Sequence, residues 1–115
     1  MNKKILVYIA GPYTYPDPAK NTLNAIAAAD ALISVSDRLI PIIPHLSHYW
    51  HKVTPRPVEW WYDYDNEILK RCDVVLRIPG MSRGADNEVD LAKKLEMPVY
   101  FEIEHLMADN LLGWL

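Results

Sequence analysis

Two carboxylates stand at positions where their helices call for apolar side chains, and this is the chain's first chemical signal. Beyond about Ala85, residues Ala85, Val89, Ala92 and Leu95 fall on one arc at ~100° per residue, and Glu88 falls on it with them. Asp86, Asn87, Asp90, Lys93 and Lys94 face the other way. Further upstream, Val58, Trp61, Tyr62, Ile68, Leu69 and Cys72 share a second arc, with Asp65 near its centre. A buried carboxylate is costly unless something compensates it. A pair of them suits cleavage of a glycosidic bond, where one attacks or stabilises the oxocarbenium-like carbon and the other manages protons. Structural readings compete with this. Glu88 is not a capping-box residue, because the position three before it is Ala85 rather than a capping type. A favourable charge at a helix N-terminus, or an ion pair to Arg77 or Arg83, would also account for it. Asp65 has its own structural alternative in a cap or a pair with Arg71.

The elements that must position these groups follow from the apolar pattern. Lys4 to Ala10 reads as a strand, cut off by Gly11-Pro12. Asp17 offers an N-cap, with Pro18 at the first position of a helix running to about Val35. Thr22, Ala25, Ile26, Ala29, Leu32 and Ile33 recur on that helix at a spacing that faces a sheet. A second strand, Arg38 to Ile43, ends at Pro44, and the proline-broken segment HLSHYWHKVTPRP after it reads as irregular. A helix is expected from about Pro57 to Arg71, a buried strand at Val74 to Ile78, and a helix from about Ala85 to Glu96. A last strand, Val99 to Ile103, precedes a tail that reads as helical near Glu104 to Leu112.

Alternating strands and helices with continuously apolar strands imply a parallel sheet covered on both faces. The expected architecture is α/β: a small flavodoxin-like (Rossmann-like) three-layer sandwich with four or five parallel strands in the order 2-1-3-4. Ligands in such folds bind beyond the carboxyl ends of the strands, where the order reverses. That switch point would bring Tyr8 to Thr14 beside Pro79 to Glu88.

The chain of 115 residues is long enough for one core, so residues 1–115 are expected to form a single domain. A net charge of −3 argues against a nucleic-acid partner. Cys72 is the only cysteine and has no internal partner for a disulfide, which fits a reducing, cytoplasmic setting. No apolar run approaches the ~20 residues that span a membrane. The first loop lacks the P-loop order, and no dinucleotide fingerprint or Ser or Cys nucleophile with a base partner stands out.

YIAGP follows the first strand, Asp65 opens the run D-N-E-I-L-K-R-C-D, and S-R-G-A-D-N-E leads into a helix. In this order and spacing the motifs resemble the nucleoside 2-deoxyribosyltransferase superfamily, which includes the nucleoside 5′-monophosphate N-glycosidases. The likeness spans roughly residues 5 to 103. The resemblance implies that Glu88 is a nucleophile forming a covalent glycosyl-enzyme, that Asp65 is the second carboxylate, and that Tyr8 orients the nucleophile. It implies that Gly11 lets the sugar approach the backbone, and that Asn110, in N-L-L-G-W, reaches a neighbouring subunit's site in a homo-oligomer. The monophosphate hydrolases carry Ser and Arg just after the first glycine, where this chain has Pro12 and Thr14. Yet Ser82, six residues before Glu88, matches the monophosphate enzymes rather than the transferases, which tend to carry Asp.

Gly11, Pro12, Tyr13, His45, Ser82, Gly84 and Asn110 are therefore the candidate substrate contacts, beside Glu88, Asp65 and Tyr8 as catalytic candidates. His45, His48 and His51 are three apart, and three-residue steps on a helix drift by ~60°, so they do not share one face. Pocket lining or plain surface is expected of them rather than a metal. The aromatic concentration Trp50, Trp60, Trp61, Tyr62 and Tyr64 could stack a base, pack helices or form a subunit interface. The expected activity is cleavage of the N-glycosidic bond of a nucleoside or its 5′-monophosphate, by hydrolysis or base exchange, with no metal or organic cofactor and no membrane or nucleic-acid partner. The competing readings are a nicotinamide-nucleotide glycohydrolase and a non-catalytic nucleotide-binding module.

Overall fold

The structure is a computed structural model, and it describes residues 3–109. Its elements run β1 (Ile5–Ala10), α1 (Pro18–Val35), β2 (Leu39–Ile42), a 3-10 turn (Pro44–Leu46), α2 (Ser47–Val53), α3 (Val58–Leu69), β3 (Val74–Arg77), α4 (Arg83–Lys94), β4 (Val99–Tyr100) and α5 (Ile103–Ala108). The strands form one parallel sheet in the order β2-β1-β3-β4, the expected topology. β1 lies between β2 and β3, with Tyr8 level with Ile42 on one side and Val75 on the other.

Period-two alternation along β1 divides its side chains between two cores. Ile5, Val7 and Ile9 join Leu39, Val74, Leu76 and Tyr100 under α1 and α5, where Ala25, Ala29, Leu32 and Leu106 are buried. Tyr8 and Ala10 point to the opposite face, with Val75, beneath Leu69 and Cys72 at the end of α3 and Ala85 and Ala92 of α4. The layers are thus helix, sheet, helix.

Local chemistry sets the boundaries. The Asp17 carboxylate accepts hydrogen bonds from Ala19 N at 3.0 Å and Lys20 N at 3.3 Å, so the N-cap and the following Pro18 start α1 as their types require. Ser82 caps α4 by accepting from Ala85 N at 3.0 Å, which begins that helix at Arg83, two residues ahead of the expected start. Leu95, assigned to the buried arc, lies past the last turn of α4 and is exposed. Ile33, expected to face the sheet, is 52% exposed.

The largest departure from expectation is the segment after β2. It is not irregular: a 3-10 turn and the two-turn helix α2 occupy it. Pro44 and Pro55 bound a proline-free stretch, and α2 buries none of its residues, so no apolar stripe signals it. The last strand is also shorter than the five residues expected, because α5 begins at Ile103, the residue expected to end that strand. Among the described residues no helix is long and apolar enough to cross a membrane.

Candidate active site

The loops after β1 and β3 meet at the carboxyl end of the sheet, where the strand order reverses. Ile78 N donates to Ala10 O at 2.8 Å, continuing the β1–β3 ladder into these loops. Arg77 is a buried cation beneath the second loop. Its guanidinium donates to Ile78 O, to Gly80 O at 2.8 Å and to the Asp86 carboxylate at 3.0 Å. A charge-assisted fork of this kind fixes the backbone just ahead of α4. Gly80 adopts φ 121°, and a side chain there would meet Pro12, so the loop turns where only glycine is unstrained.

Above these loops opens a cleft of about 1200 Å³. Glu88 and Asp65 both line it, from the first turns of α4 and the middle of α3. Tyr8 reaches Glu88 from beneath. Its hydroxyl, on a fully buried ring of β1, donates a short hydrogen bond to Glu88 Oε2. The ion-pair alternatives are not what forms: Arg77 pairs with Asp86, and Arg71 pairs with Glu67. One oxygen of Asp65 is buried without a hydrogen-bond partner among the described residues.

This environment changes the acidity of the three groups. Burial pushes the Glu88 carboxyl up to about 7, and the Asp65 charge adds to that, while the Tyr8 hydrogen bond and the Arg77 charge pull the other way. Burial alone lifts Asp65 to about 7. Burial, with the charges of Glu88 and Asp65, holds Tyr8 well above its ordinary value, so it remains a donor. Glu88 therefore has two groups stabilising its ionised form, and Asp65 has neither.

The other expected contacts gather around this pair. Pro12 and Tyr13 line the cleft beside Gly11, and Ser82 and Gly84 line it from the start of α4. Gly11 has a packing reason for its type as well: an added Cβ would lie 2.3 Å from the Ile78 side chain. Gly84 is similarly close to the Tyr62 ring, with 3.3 Å to an added Cβ. His45 is buried at the cleft wall, and its Nε2 lies 3.2 Å from Gly11 O and 3.0 Å from Pro12 O. Burial lowers its pKa against those two backbone contacts, so it is a neutral ring donating from Nε2 to both carbonyls. Its second nitrogen, Nδ1, is buried without a partner among the described residues. Asn110 lies outside the described residues.

Sequence reasoning missed several positioning residues. Asn21, on an otherwise apolar face of α1, is buried and donates to Tyr13 O and Tyr15 O, both at 2.9 Å, which holds the first loop against the helix. A polar residue one turn into a helix carries no periodic signal for this. Val58 and Tyr62, assigned to a buried arc, face the cleft instead. The three histidines are engaged separately: His48 Nδ1 lies 2.6 Å from Tyr13 Oη, and His51 Nδ1 accepts from Trp61 Nε1 at 2.7 Å. No group of three His, Cys, Asp or Glu side chains among the described residues could hold a metal ion.

A domain family described as a domain of unknown function, DUF7768, matches residues 5–102, which is most of the chain and all of the cleft. The chain belongs to the DUF7768 family. No curated protein matches it. Among solved structures it is similar to one titled 2-desoxiribosyltransferase, from Leishmania mexicana, with a TM-score of 0.56 and 20% sequence identity. The likeness covers 83% of this chain and 61% of that one, so the chain spans about three-fifths of that structure. At this identity the two share a fold.

Proposed function

We propose that this DUF7768 protein cleaves the N-glycosidic bond of a nucleoside or nucleoside 5′-monophosphate, by hydrolysis or base exchange, with Glu88 as nucleophile. The observation that carries the reading is the half-buried carboxylate pair at the cleft: Glu88 held by the Tyr8 hydroxyl, and Asp65 with one oxygen buried and unpartnered among the described residues. A fold shared with a structure titled 2-desoxiribosyltransferase supports it.

The chemistry divides between the two carboxylates according to their surroundings. Both carboxyls are raised to about 7, so near neutrality the pair readily holds a single proton. The Tyr8 hydrogen bond and the Arg77 charge at Glu88 favour the arrangement with Glu88 ionised and that proton on Asp65. Ionised Glu88 attacks C1′ as the bond from C1′ to the base nitrogen breaks, forming a glycosyl ester. The Asp65 proton goes to the departing base. Water then attacks C1′, giving its proton to Asp65, and Glu88 is released as a carboxylate; a second base in place of water gives exchange. Tyr8 stays protonated throughout and holds the attacking oxygen in line.

The 5′-monophosphate is favoured by Ser82 and Arg83, which line the cleft at the N-terminus of α4, where backbone N–H groups and the helix end attract an anion. The test is incubation with a panel of nucleosides, 5′-monophosphates and NAD, followed by chromatography for free base. Release of base from at least one nucleoside or monophosphate is expected. Release from none, with ligands that still raise the melting temperature, would replace this reading with a binding module.

A further inference from the structure

The cleft has a second chemical character, opposite to that of Glu88 and Asp65. Its α2–α3 wall carries His51, Lys52 and Arg56, and among the described residues neither Lys52 nor Arg56 pairs with a carboxylate. In a chain of net charge −3, unpaired cations on one wall of the main cleft are out of keeping with the average surface.

Arg56 is built into place rather than left loose. Its guanidinium lies 4.5 Å from the Trp60 ring centre and 4.9 Å from that of Trp50, a cation–π seat that holds the plane while leaving its edge N–H groups free. Among the described residues only one of those donors has a protein partner, Thr54 O, at a long 3.4 Å. The histidine beside it is fixed too. Arg56 N and Trp61 Nε1 both donate to His51 Nδ1, at 3.3 and 2.7 Å, so the ring proton sits on Nε2 and makes that atom a donor. The aromatic rings of this region are occupied with one another and with Arg56. Trp50 packs edge-on against Trp60, Trp61 and Tyr64, and Trp60 stacks on Tyr64. They form a platform for the cation.

The wall is set back from Asp65 along α3: Trp61, which anchors His51, precedes Asp65 by four residues, a rise of about 6 Å, and the His51 ring centre lies 5.6 Å from that of Trp61. A phosphate directly on the sugar stays close to the glycosidic bond, whereas a second, linked phosphate extends beyond it. The cleft volume of about 1200 Å³ also exceeds the usual range of roughly 300–1,000 Å³ for small-ligand sites.

We infer that the α2–α3 wall is a subsite for a phosphate chain, with Arg56, Lys52 and His51 binding the outer phosphate of a nucleotide that carries at least two. The inference rests on the nucleotide reading of the cleft, but it is tested by binding, which needs no turnover. Inorganic pyrophosphate is titrated by calorimetry into the wild type, Arg56→Met, Lys52→Met and Lys94→Met, an exposed cation outside the cleft, each checked for folding by circular dichroism. The wild type and Lys94→Met should bind alike, with affinity about tenfold or more weaker in Arg56→Met and weaker in Lys52→Met. Absence of pyrophosphate binding to the folded wild type, or binding unchanged in both cation variants, overturns the subsite. A second titration with nucleoside 5′-diphosphates of each base separates a nucleotide from a free anion. At least one should bind about tenfold tighter than pyrophosphate in an Arg56-dependent way; if none does, the nucleotide assignment falls. Failure to release base from any compound, with this binding pattern intact, removes the glycosidase reading and supports the phosphate subsite.

Discussion

The two faces of one four-stranded sheet are packed on different terms. Under α1 and α5 the core is built of aliphatic side chains and the Tyr100 ring, from Ile5 and Val7 to Leu32 and Leu106. Under α3 and α4 the same strands present Tyr8 and Ala10 to helices that bring two carboxylates inward. The first face is arranged for stability. The second accepts charged groups that burial opposes, and the natural compensation for that cost is a use. The difference starts within β1, where neighbouring residues Val7 and Tyr8 serve opposite faces.

The sharpest way to break this contrast is to change one residue on each face. Glu88→Gln should lower base release by roughly 10⁴-fold or more, because the variant lacks the proposed nucleophile. Its melting temperature at pH 8 should match or exceed that of the wild type. Leu32→Ala, on the other face, should cost about 2–5 kcal/mol of stability in denaturant unfolding while leaving kcat/KM of the folded protein nearly unchanged. If Glu88→Gln instead lost stability and kept activity, the faces would not divide in this way.

A smaller effect comes from pH. Glu88 and Asp65 both bind their protons more tightly in the folded state, at about 7 against ordinary values of 4.5 and 3.8. Between about pH 4 and 7 the folded protein therefore holds more protons than the unfolded chain, and stability falls as pH rises through that window. The loss is on the order of 3 kcal/mol per group. Urea unfolding at pH 5 and pH 8 measures it, and Glu88→Gln and Asp65→Asn should each flatten the slope. A slope unchanged in both variants would mean that the carboxylates are not held as described.

The comparison also shows what the sequence makes readable. The apolar face was visible because period-two and 3.6-residue patterns report burial of aliphatic groups directly; Val7, Ala25 and Leu32 are where they should be. Strand order followed from alternation and handedness. Glu88 and Asp65 were visible for the complementary reason, as charges that interrupt such a pattern. What remained hidden depends on contacts distant in sequence or on elements without a stripe. α2 buries none of its residues, and its Tyr49, Trp50 and Val53 are all exposed, so it gives no core-facing period. Arg77 and Asn21 act by hydrogen-bonding loop carbonyls, and so does His45, whose place at the cleft was legible but whose partners were not; composition does not encode which carbonyls those are. Ser82 was legible as a loop residue before a helix, but its bond to Ala85 N depends on a helix start two residues earlier than periodicity placed it.

Ser82 supplies the smallest expected effect. Ser82→Ala removes the α4 cap and should cost about 1 kcal/mol of stability. If Ser82 also contacts a 5′-phosphate, the preference of kcat/KM for a monophosphate over its nucleoside should shrink in the variant. A wild-type preference for the free nucleoside would leave Ser82 with the cap as its only role.

The account stands most directly on whether Glu88 becomes bonded to the sugar. The measurement is intact-protein and peptide mass spectrometry after incubation with 2′-fluoro-arabinosyl nucleosides and monophosphates of each base, whose fluorine slows release of the glycosyl ester. The account predicts one added sugar mass on the wild type, mapped to the peptide containing Glu88, and none on Glu88→Gln. Free base released without any adduct at Glu88, or an adduct that persists in Glu88→Gln, would contradict it.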